Sequence, residues 1–240
     1  MIIQLILIIL LITLAIIIES IVGFGTSSIS LPILSLFYPL HQVILFVGII
    51  QFISSIWKLY IFRSGIDWKL IFSFGISAVI CSFLGAYITL RIPIYYAYKI
   101  IGTILIIYST TIFLNGKIIM PQNNFFIASG GAISGFLSGL IGLGGAIRAT
   151  FLHAADLPKL TFIFTATFIS FFIDIVRLTT YVLQGTRLNA MFIISIIFYI
   201  PVSILGVFLA KKFVDFIPQQ KFRMLVTIFL AIFGVYLLIR

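Results

Sequence analysis

Long apolar runs, separated by short turns, follow one another along the whole chain. The first, "IIQLILIILLITLAIII" (Ile2 to Ile18), and the last, "LVTIFLAIFGVYLLI" (Leu225 to Ile239), reach or approach the ~20 apolar residues that span a bilayer as a helix. Glycines, prolines and asparagines punctuate the runs between them. The pattern predicts an all-α, polytopic membrane helix bundle of about eight spans, at residues 3–22, 42–62, 68–90, 95–115, 124–143, 158–182, 188–211 and 219–239.

Composition agrees with this prediction. The chain is 62% hydrophobic and 8% charged, with a mean hydropathy of +1.33, whereas soluble domains carry about a quarter charged residues. The net charge of +10 comes from scattered lysines and arginines, which argues against nucleic-acid binding. We therefore expect a multi-pass protein of a prokaryotic cell (inner) membrane, with the lipid bilayer as its partner and no nucleic acid.

The two halves of the chain look like copies of each other. A shift of 119 residues places Gly23-Phe24-Gly25 on Gly142-Leu143-Gly144 and Pro39 on Pro158. Further landmarks follow in the same order with slowly growing shifts: Gly65 on Gly185 (120), Gly85 on Gly206 (121), and "YKIIGTIL" (Tyr98 to Leu105) on "FRMLVTIF" (Phe222 to Phe229, 124). We assign residues 1–116 to a first repeat half, 117–123 to a linker and 124–240 to a second half. Internal duplication is typical of transporters, which place the substrate site near the interface of the repeats.

Each half begins with an apolar stretch that is too long for one straight span. Residues 2–38 would form a helix about 55 Å long, against a hydrocarbon core of ~30 Å. The glycine motifs therefore predict a broken or re-entrant helix in each half, which membranes tolerate only around protein or a watery cavity. Four full spans per half would give parallel copies. Three crossings plus a re-entrant hairpin would give inverted copies, and loop charges do not decide between them.

The second glycine motif carries the strongest candidate site. A helix that starts near Gly144 and Gly145 would present free N–H groups and partial positive charge to an anion, and Arg148 would add a planar fork of donors. The equivalent stretch of the first half offers donors at Gly25, Thr26, Ser27 and Ser28. Alternatively, Arg148 lies at a membrane edge or pairs with a carboxylate, and the hydroxyls cap or join helices.

A second charged group lies in "FIDIVRLTTY", where Asp174 and Arg177 share a helix face and are spaced to pair. They either contact the substrate, as intramembrane charges often do, or form a structural pair, or Arg177 snorkels. Glu19 is a candidate for a coupling proton, or an acceptor for helix-start N–H groups. Lys58 and Arg63, at the end of the second span, are interpreted as snorkelling or topology-setting residues. No spacing suggests a metal site or a cofactor.

The motifs "GFGTSSISLP" and "GLGGAIRATFL", with "DIVRLTTY" and "SGIDWK", resemble those of the TauE/SafE family of sulfite and organosulfonate exporters. The resemblance covers nearly the whole chain and implies transport of a small sulfur-containing oxyanion or related organic anion, driven by a proton or sodium gradient. Our leading hypothesis is a secondary transporter, not an enzyme, that works by alternating access. An anion channel is the alternative, with an intramembrane enzyme or a structural subunit of a larger complex behind it.

Overall fold

The computed structural model describes most of the chain, and every described segment of secondary structure is helical. The described residues are 10–15, 27–62, 65–89, 91, 93–115, 123–153, 157–213 and 219–239. The glycine motif of the first half, at Gly23 to Gly25, and the acidic Glu19 lie outside them.

Within the described residues, nine helices follow one another in chain order, and residues 10–15 form part of an earlier helical segment. The helices are α1 Ser27–Ser35, α2 Leu40–Ile61, α3 Trp68–Thr89, α4 Ile94–Asn115, α5 Asn124–Ile141, α6 Gly144–His153, α7 Lys159–Leu183, α8 Ala190–Phe213 and α9 Gln219–Ile239. Within the described residues, five of them (α2, α3, α5, α7 and α8) are long and apolar enough to cross a membrane. The expected polytopic helical bundle is present, and the count of eight spans stays a prediction.

Local sequence explains where several helices begin. Pro39 and Pro158 directly precede α2 and α7, with φ angles of −57° and −53°, and proline's fixed φ favours the start of a helix. The side chain of Asp67 accepts a hydrogen bond from the backbone N–H of Leu70 (3.0 Å) at the start of α3. Asn123 caps α5 in the same way, so turn residues of the sequence set these boundaries.

Helices α3 and α5 pack with their backbones in close contact. A β-carbon added to Gly135 would lie 1.9 Å from the carbonyl oxygen of Ala78, and one added to Gly139 would lie 2.0 Å from that of Ser82. Gly131 approaches α3 in the same manner. Small residues allow such backbone contact between membrane helices, as the four-residue spacing of these glycines predicts.

Two other helix pairs run antiparallel. On α2, Gly48 lies beside Arg177 of α7, while the segment after α2 reaches the start of α7, where the N–H of Asp67 donates to Oγ1 of Thr165 (3.3 Å). Near the start of α4, Lys99 donates to the carbonyl of Leu238 at the end of α9. The members of each pair therefore point in opposite directions.

Helices α5 and α6 form a hairpin. Gly144, the first residue of α6, packs on Ser134 of α5, and Phe151, near the other end of α6, packs on Gly130. The contacts thus move back towards the start of α5 as α6 proceeds. The chain therefore returns alongside α5 after the break, and the choice between parallel and inverted halves stays a prediction.

Candidate functional site

The break between α5 and α6 lies at Gly142 and Leu143. Gly142 has a φ of 78°, a left-handed conformation that ends α5, and its N–H donates to the carbonyl of Ser138 (2.8 Å). A helix end leaves carbonyl groups without partners inside the helix. In a membrane protein those groups need partners from elsewhere in the protein, and other helices supply them here.

Helix α7 donates to two carbonyl groups of this helix end from side chains one turn apart. Nη1 of Arg177 donates to the carbonyl of Ser138 (3.3 Å), and the hydroxyl of Tyr181 donates to the carbonyl of Gly139. Both side chains are fully buried. Helix α7 therefore holds the end of α5 in place through its charged face.

Two further hydroxyls donate hydrogen bonds to carbonyl groups at this break. Oγ1 of Thr89, the last residue of α3, donates to the carbonyl of Leu140 (2.7 Å), and the hydroxyl of Ser27 donates to the carbonyl of Gly142. Side chains from α1, α3 and α7 thus converge on one interruption of the backbone. Side chains donate to four carbonyl groups at this break, so the fold specifically supports it.

Ser27 brings the first half of the chain to this break. It is the first residue of α1, directly after the first glycine motif, and its side chain is fully buried. Its Oγ also lies 2.9 Å from Oε1 of Gln51 on α2. Ser27, which follows the first glycine motif, and Gly142, which opens the second, are 115 residues apart in sequence and meet in the interior of the bundle.

A buried ion pair lies next to the break. Nε of Arg177 donates to Oδ1 of Asp174 (2.8 Å), and the two side chains are 1% and 0% exposed. The predicted pair is therefore present, and Arg177 does not snorkel. Oδ2 of Asp174 and Nη2 of Arg177 have no hydrogen-bond partner within the described part of the chain, so both keep a face available to a ligand or water.

Two more cations belong to the same buried group. Arg148 of α6 is 3% exposed and Lys58 of α2 is 5% exposed, and both attract the carboxylate of Asp174 electrostatically, as Arg177 does. Among the described residues, three cations thus share one carboxylate. Buried charge is costly unless it is paired or hydrogen-bonded, so these residues form one electrostatically coupled group.

Burial of Lys58 differs from the expectation that it snorkels or sets topology. The sequence did contain a signal: the shift of 119 residues that aligns the glycine motifs also places Ser55 on Asp174 and Lys58 on Arg177. The expectation was wrong because a lysine three residues from the end of α2 was assumed to reach the surface. Contact between α2 and α7 keeps it inside.

The remaining predicted residues have varied places. Gly144 is needed for close packing, since an added β-carbon would lie 1.9 Å from the carbonyl oxygen of Ser134. Its own carbonyl accepts from the Ser134 hydroxyl (2.8 Å). Gly145 is buried in the first turn of α6, and Ser28 lies in the first turn of α1. Gly25, Thr26 and Glu19 lie outside the described residues.

Comparison with known proteins gives one match. The family model described as "Sulfite exporter TauE/SafE" matches residues 8–237 of this chain. No curated protein and no solved structure matches it significantly. The match covers almost the full length, including both glycine motifs and all the charged residues of the buried group.

Proposed function

Because this chain belongs to the sulfite exporter TauE/SafE family, we propose that it is a secondary transporter of a small anion. The substrate is a sulfur-containing oxyanion or organosulfonate such as sulfite, and transport proceeds by alternating access. A proton or sodium gradient drives it, with Glu19 as the candidate coupling residue.

The buried cluster of cations carries this proposal. Arg148, Arg177 and Lys58 are all buried in the interior of an apolar bundle, and each attracts the carboxylate of Asp174. Ionisable residues inside a membrane bundle often mark a substrate path. The positive charge of this cluster would attract an anionic substrate that enters the same space.

The break between α5 and α6 supplies the orienting groups. At its start, α6 presents backbone N–H groups and the positive end of the helix dipole, which suits an oxyanion. Arg148 follows one turn later with a planar fork of donors. Ser27 ties the α1 segment to this point through Gly142, so a movement of one half is transmitted to the anion site.

Alternating access is supported by the relation between the halves, which we propose are inverted copies. Helices that correspond under the repeat, α2 with α7 and α4 with α9, pack antiparallel. Phe52 and Phe171 are 119 residues apart and therefore equivalent, and their rings stack with centroids 5.1 Å apart. Direct contact between equivalent residues of antiparallel helices favours a two-fold axis in the membrane plane, the arrangement of inverted-repeat transporters.

Flux measurement tests the function. Purified protein in proteoliposomes should carry labelled sulfite with saturation, and excess unlabelled sulfite inside should accelerate uptake by counterflow. Arg148→Ala should abolish this flux while thermal unfolding stays close to native, because the substrate loses its main donor. Arg148→Lys should retain part of the flux. Arg187→Ala, at an exposed arginine after α7, is the matched control and should behave as the native protein.

Each alternative has a distinct outcome. Flux without counterflow or saturation would indicate an anion channel. Normal flux in Arg148→Ala would remove Arg148 from the pathway and move the site to Ser27, Asp174 and Arg177. Lack of saturable flux for sulfite, sulfate and methanesulfonate in the native protein would contradict the anion-transporter proposal.

A further inference from the structure

Contacts between the helices show which helix ends lie together at one end of the bundle. Helices α3 and α5 are parallel, because successive glycines from Gly131 to Gly139 on α5 contact α3 progressively further along, from Phe74 to Ser82. The hydrogen bond from the N–H of Asp67 to Oγ1 of Thr165 places the start of α3 beside the start of α7. Helices α3, α5 and α7 therefore begin at the same end, where the antiparallel helix α2 ends.

Helix α8 runs parallel to α2. Near their starts, the rings of Phe46 and Phe192 stack with centroids 4.3 Å apart. Near their ends, Nζ of Lys211 donates to the carbonyl of Ile61 (2.9 Å). Helix α8 therefore ends, and α9 begins after a short connection, at the end where α3, α5 and α7 begin. We call this the basic end of the bundle, and the other the opposite end.

Lysines and arginines are distributed unequally between the two ends. Among the residues that the described helices and turns place, six lie at the basic end: Lys69, Lys159, Lys211, Lys212, Lys221 and Arg223. Three lie at the opposite end: Arg91, Lys99 and Arg187. The three cations of the buried group belong to neither set. The cations outside the bundle interior are thus concentrated twofold at the basic end.

Aromatic side chains indicate that the two ends lie at the two surfaces of the bilayer. Trp68 is 55% exposed at the start of α3, at the basic end. Tyr95 and Tyr96 are 54% and 59% exposed in the first turn of α4, at the opposite end. Tryptophan and tyrosine are enriched at both membrane–water interfaces. Five of the helices between these ends are long and apolar enough to cross the membrane.

We propose that the basic end faces the cytoplasm and that the opposite end faces the outside. Lysines and arginines near the ends of membrane spans are in excess on the cytoplasmic side, whereas acidic residues contribute little to orientation. The anionic lipid head groups of the cytoplasmic leaflet attract such cations. The orientation follows from the positions of the lysines and arginines and holds for any substrate.

This orientation assigns the hairpin of α5 and α6 to one compartment. Helix α5 begins at the basic end, and the contacts of α6 move back towards the start of α5. The hairpin that carries Arg148 therefore enters the bundle from the cytoplasmic side. Under the proposed function, an anion in the cytoplasm is on the side from which this hairpin enters.

Single reporter cysteines test the orientation. Cys81 is the one cysteine of the chain, so Cys81→Ala provides the background. Gly65→Cys and Asn124→Cys lie at exposed positions of the basic end, and Pro93→Cys and Ala190→Cys at exposed positions of the opposite end. In spheroplasts of a bacterial host, a membrane-impermeant maleimide should label the second pair. The first pair should react only after the membrane is permeabilised.

Removal of cations tests their role. Lys212→Gln, Lys221→Gln and Arg223→Gln together leave three cations at each end of the described bundle. In this triple variant, Gly65→Cys should become labelled in a fraction of the molecules in intact spheroplasts, because the bias in charge is lost. Arg187→Gln removes a cation from the opposite end and is the control, which should keep the original labelling pattern.

Labelling of Gly65→Cys and Asn124→Cys in intact spheroplasts, with Pro93→Cys and Ala190→Cys protected, would overturn the proposal. Equal labelling of both pairs would do the same, because it would show no preferred orientation. An unchanged pattern in the triple variant would overturn the role of the cations. If one reporter variant does not fold, the other member of its pair decides. None of these measurements uses an anionic substrate, so the flux experiments on the proposed function succeed or fail separately.

Discussion

Two helix pairs of this bundle are held together by opposite means. Between α3 and α5 the backbones touch, since glycines such as Gly135 leave no room for a β-carbon. Between α2 and α7 the interface contains larger polar and charged side chains, among them Lys58, Asp174 and Arg177, all buried. Lipid offers no hydrophobic drive for helices to associate, so close packing and polar contacts are the two available means.

The difference separates support from function. Close backbone packing between α3 and α5 costs no desolvation of charge and makes a rigid pair. Charges between α2 and α7 are expensive to bury and add less stability than apolar residues of the same volume would. Under the proposed function, their presence serves the substrate and not stability. The α3–α5 pair is then the scaffold, and the α2–α7 contact, with α6 beside it, is the working part.

Gly135→Leu should have the largest effect on stability, because it disrupts the close packing of α3 on α5. Its β-carbon would lie 1.9 Å from the carbonyl oxygen of Ala78, and neither backbone can move without separating α3 from α5. The cost should exceed the roughly 1–3 kcal/mol typical of overpacking, and little folded protein should be recovered by size-exclusion chromatography.

The matched control for this change introduces the same side chain on the same helix. Ile133 of α5 is 51% exposed, so Ile133→Leu should leave yield and thermal unfolding unchanged. A monodisperse Gly135→Leu protein with native flux would show that α3 and α5 are not a rigid scaffold.

Arg177→Gln should have the next largest effect, since it leaves the carboxylate of Asp174 buried without its ion-pair partner. Breaking a buried pair typically costs about 3–5 kcal/mol. Adding Asp174→Asn removes the stranded charge and should recover much of the thermal stability, a rescue that overpacking at Gly135 does not allow. Anion flux should stay low in both proteins, because the site has lost a cation.

Comparison of unfolding temperature and flux across these variants separates the two roles of the pair. If the double variant were as unstable as Arg177→Gln alone, the hydrogen bond from Arg177 to the Ser138 carbonyl would be the main contribution, and charge balance a minor one. Full flux in the double variant would assign the pair to structure alone.

More of the scaffold than of the site could be predicted from the sequence. Apolar runs and turn residues predict seven of the labelled helices within a few residues, and the spacing of Gly131, Gly135 and Gly139 predicts close packing. These features are local: a run of apolar residues or a four-residue spacing carries its own physical consequence. The break at Gly142 belongs with them, since the length of the apolar stretch required one.

The site depended on contacts between distant residues, which local patterns do not specify. Pairing of Asp174 with Arg177 was predictable because the two are three residues apart on one helix. Nothing local connects Ser27 to Gly142, or Thr89 to Leu140, or buries Lys58. Only the internal repeat, which places Lys58 on Arg177, could have identified Lys58 as a buried residue. The short motifs indicate the glycine segments and not the helices that follow them.

Tyr181→Phe should have the smallest effect, and it tests where scaffold and working part meet. Its hydroxyl, on α7, donates to the carbonyl of Gly139 on α5, the same glycine that packs on Ser82 of α3. Loss of one such bond leaves a buried acceptor, at a cost of about 1–3 kcal/mol, with the ring still in place. The unfolding temperature should fall modestly, whereas anion affinity should stay near native because the hydroxyl serves the end of α5.

Tyr87→Phe, at a partly exposed tyrosine of α3, is the control. A large loss of affinity in Tyr181→Phe, with stability unchanged, would place this hydroxyl in the anion site and extend the working part into the scaffold.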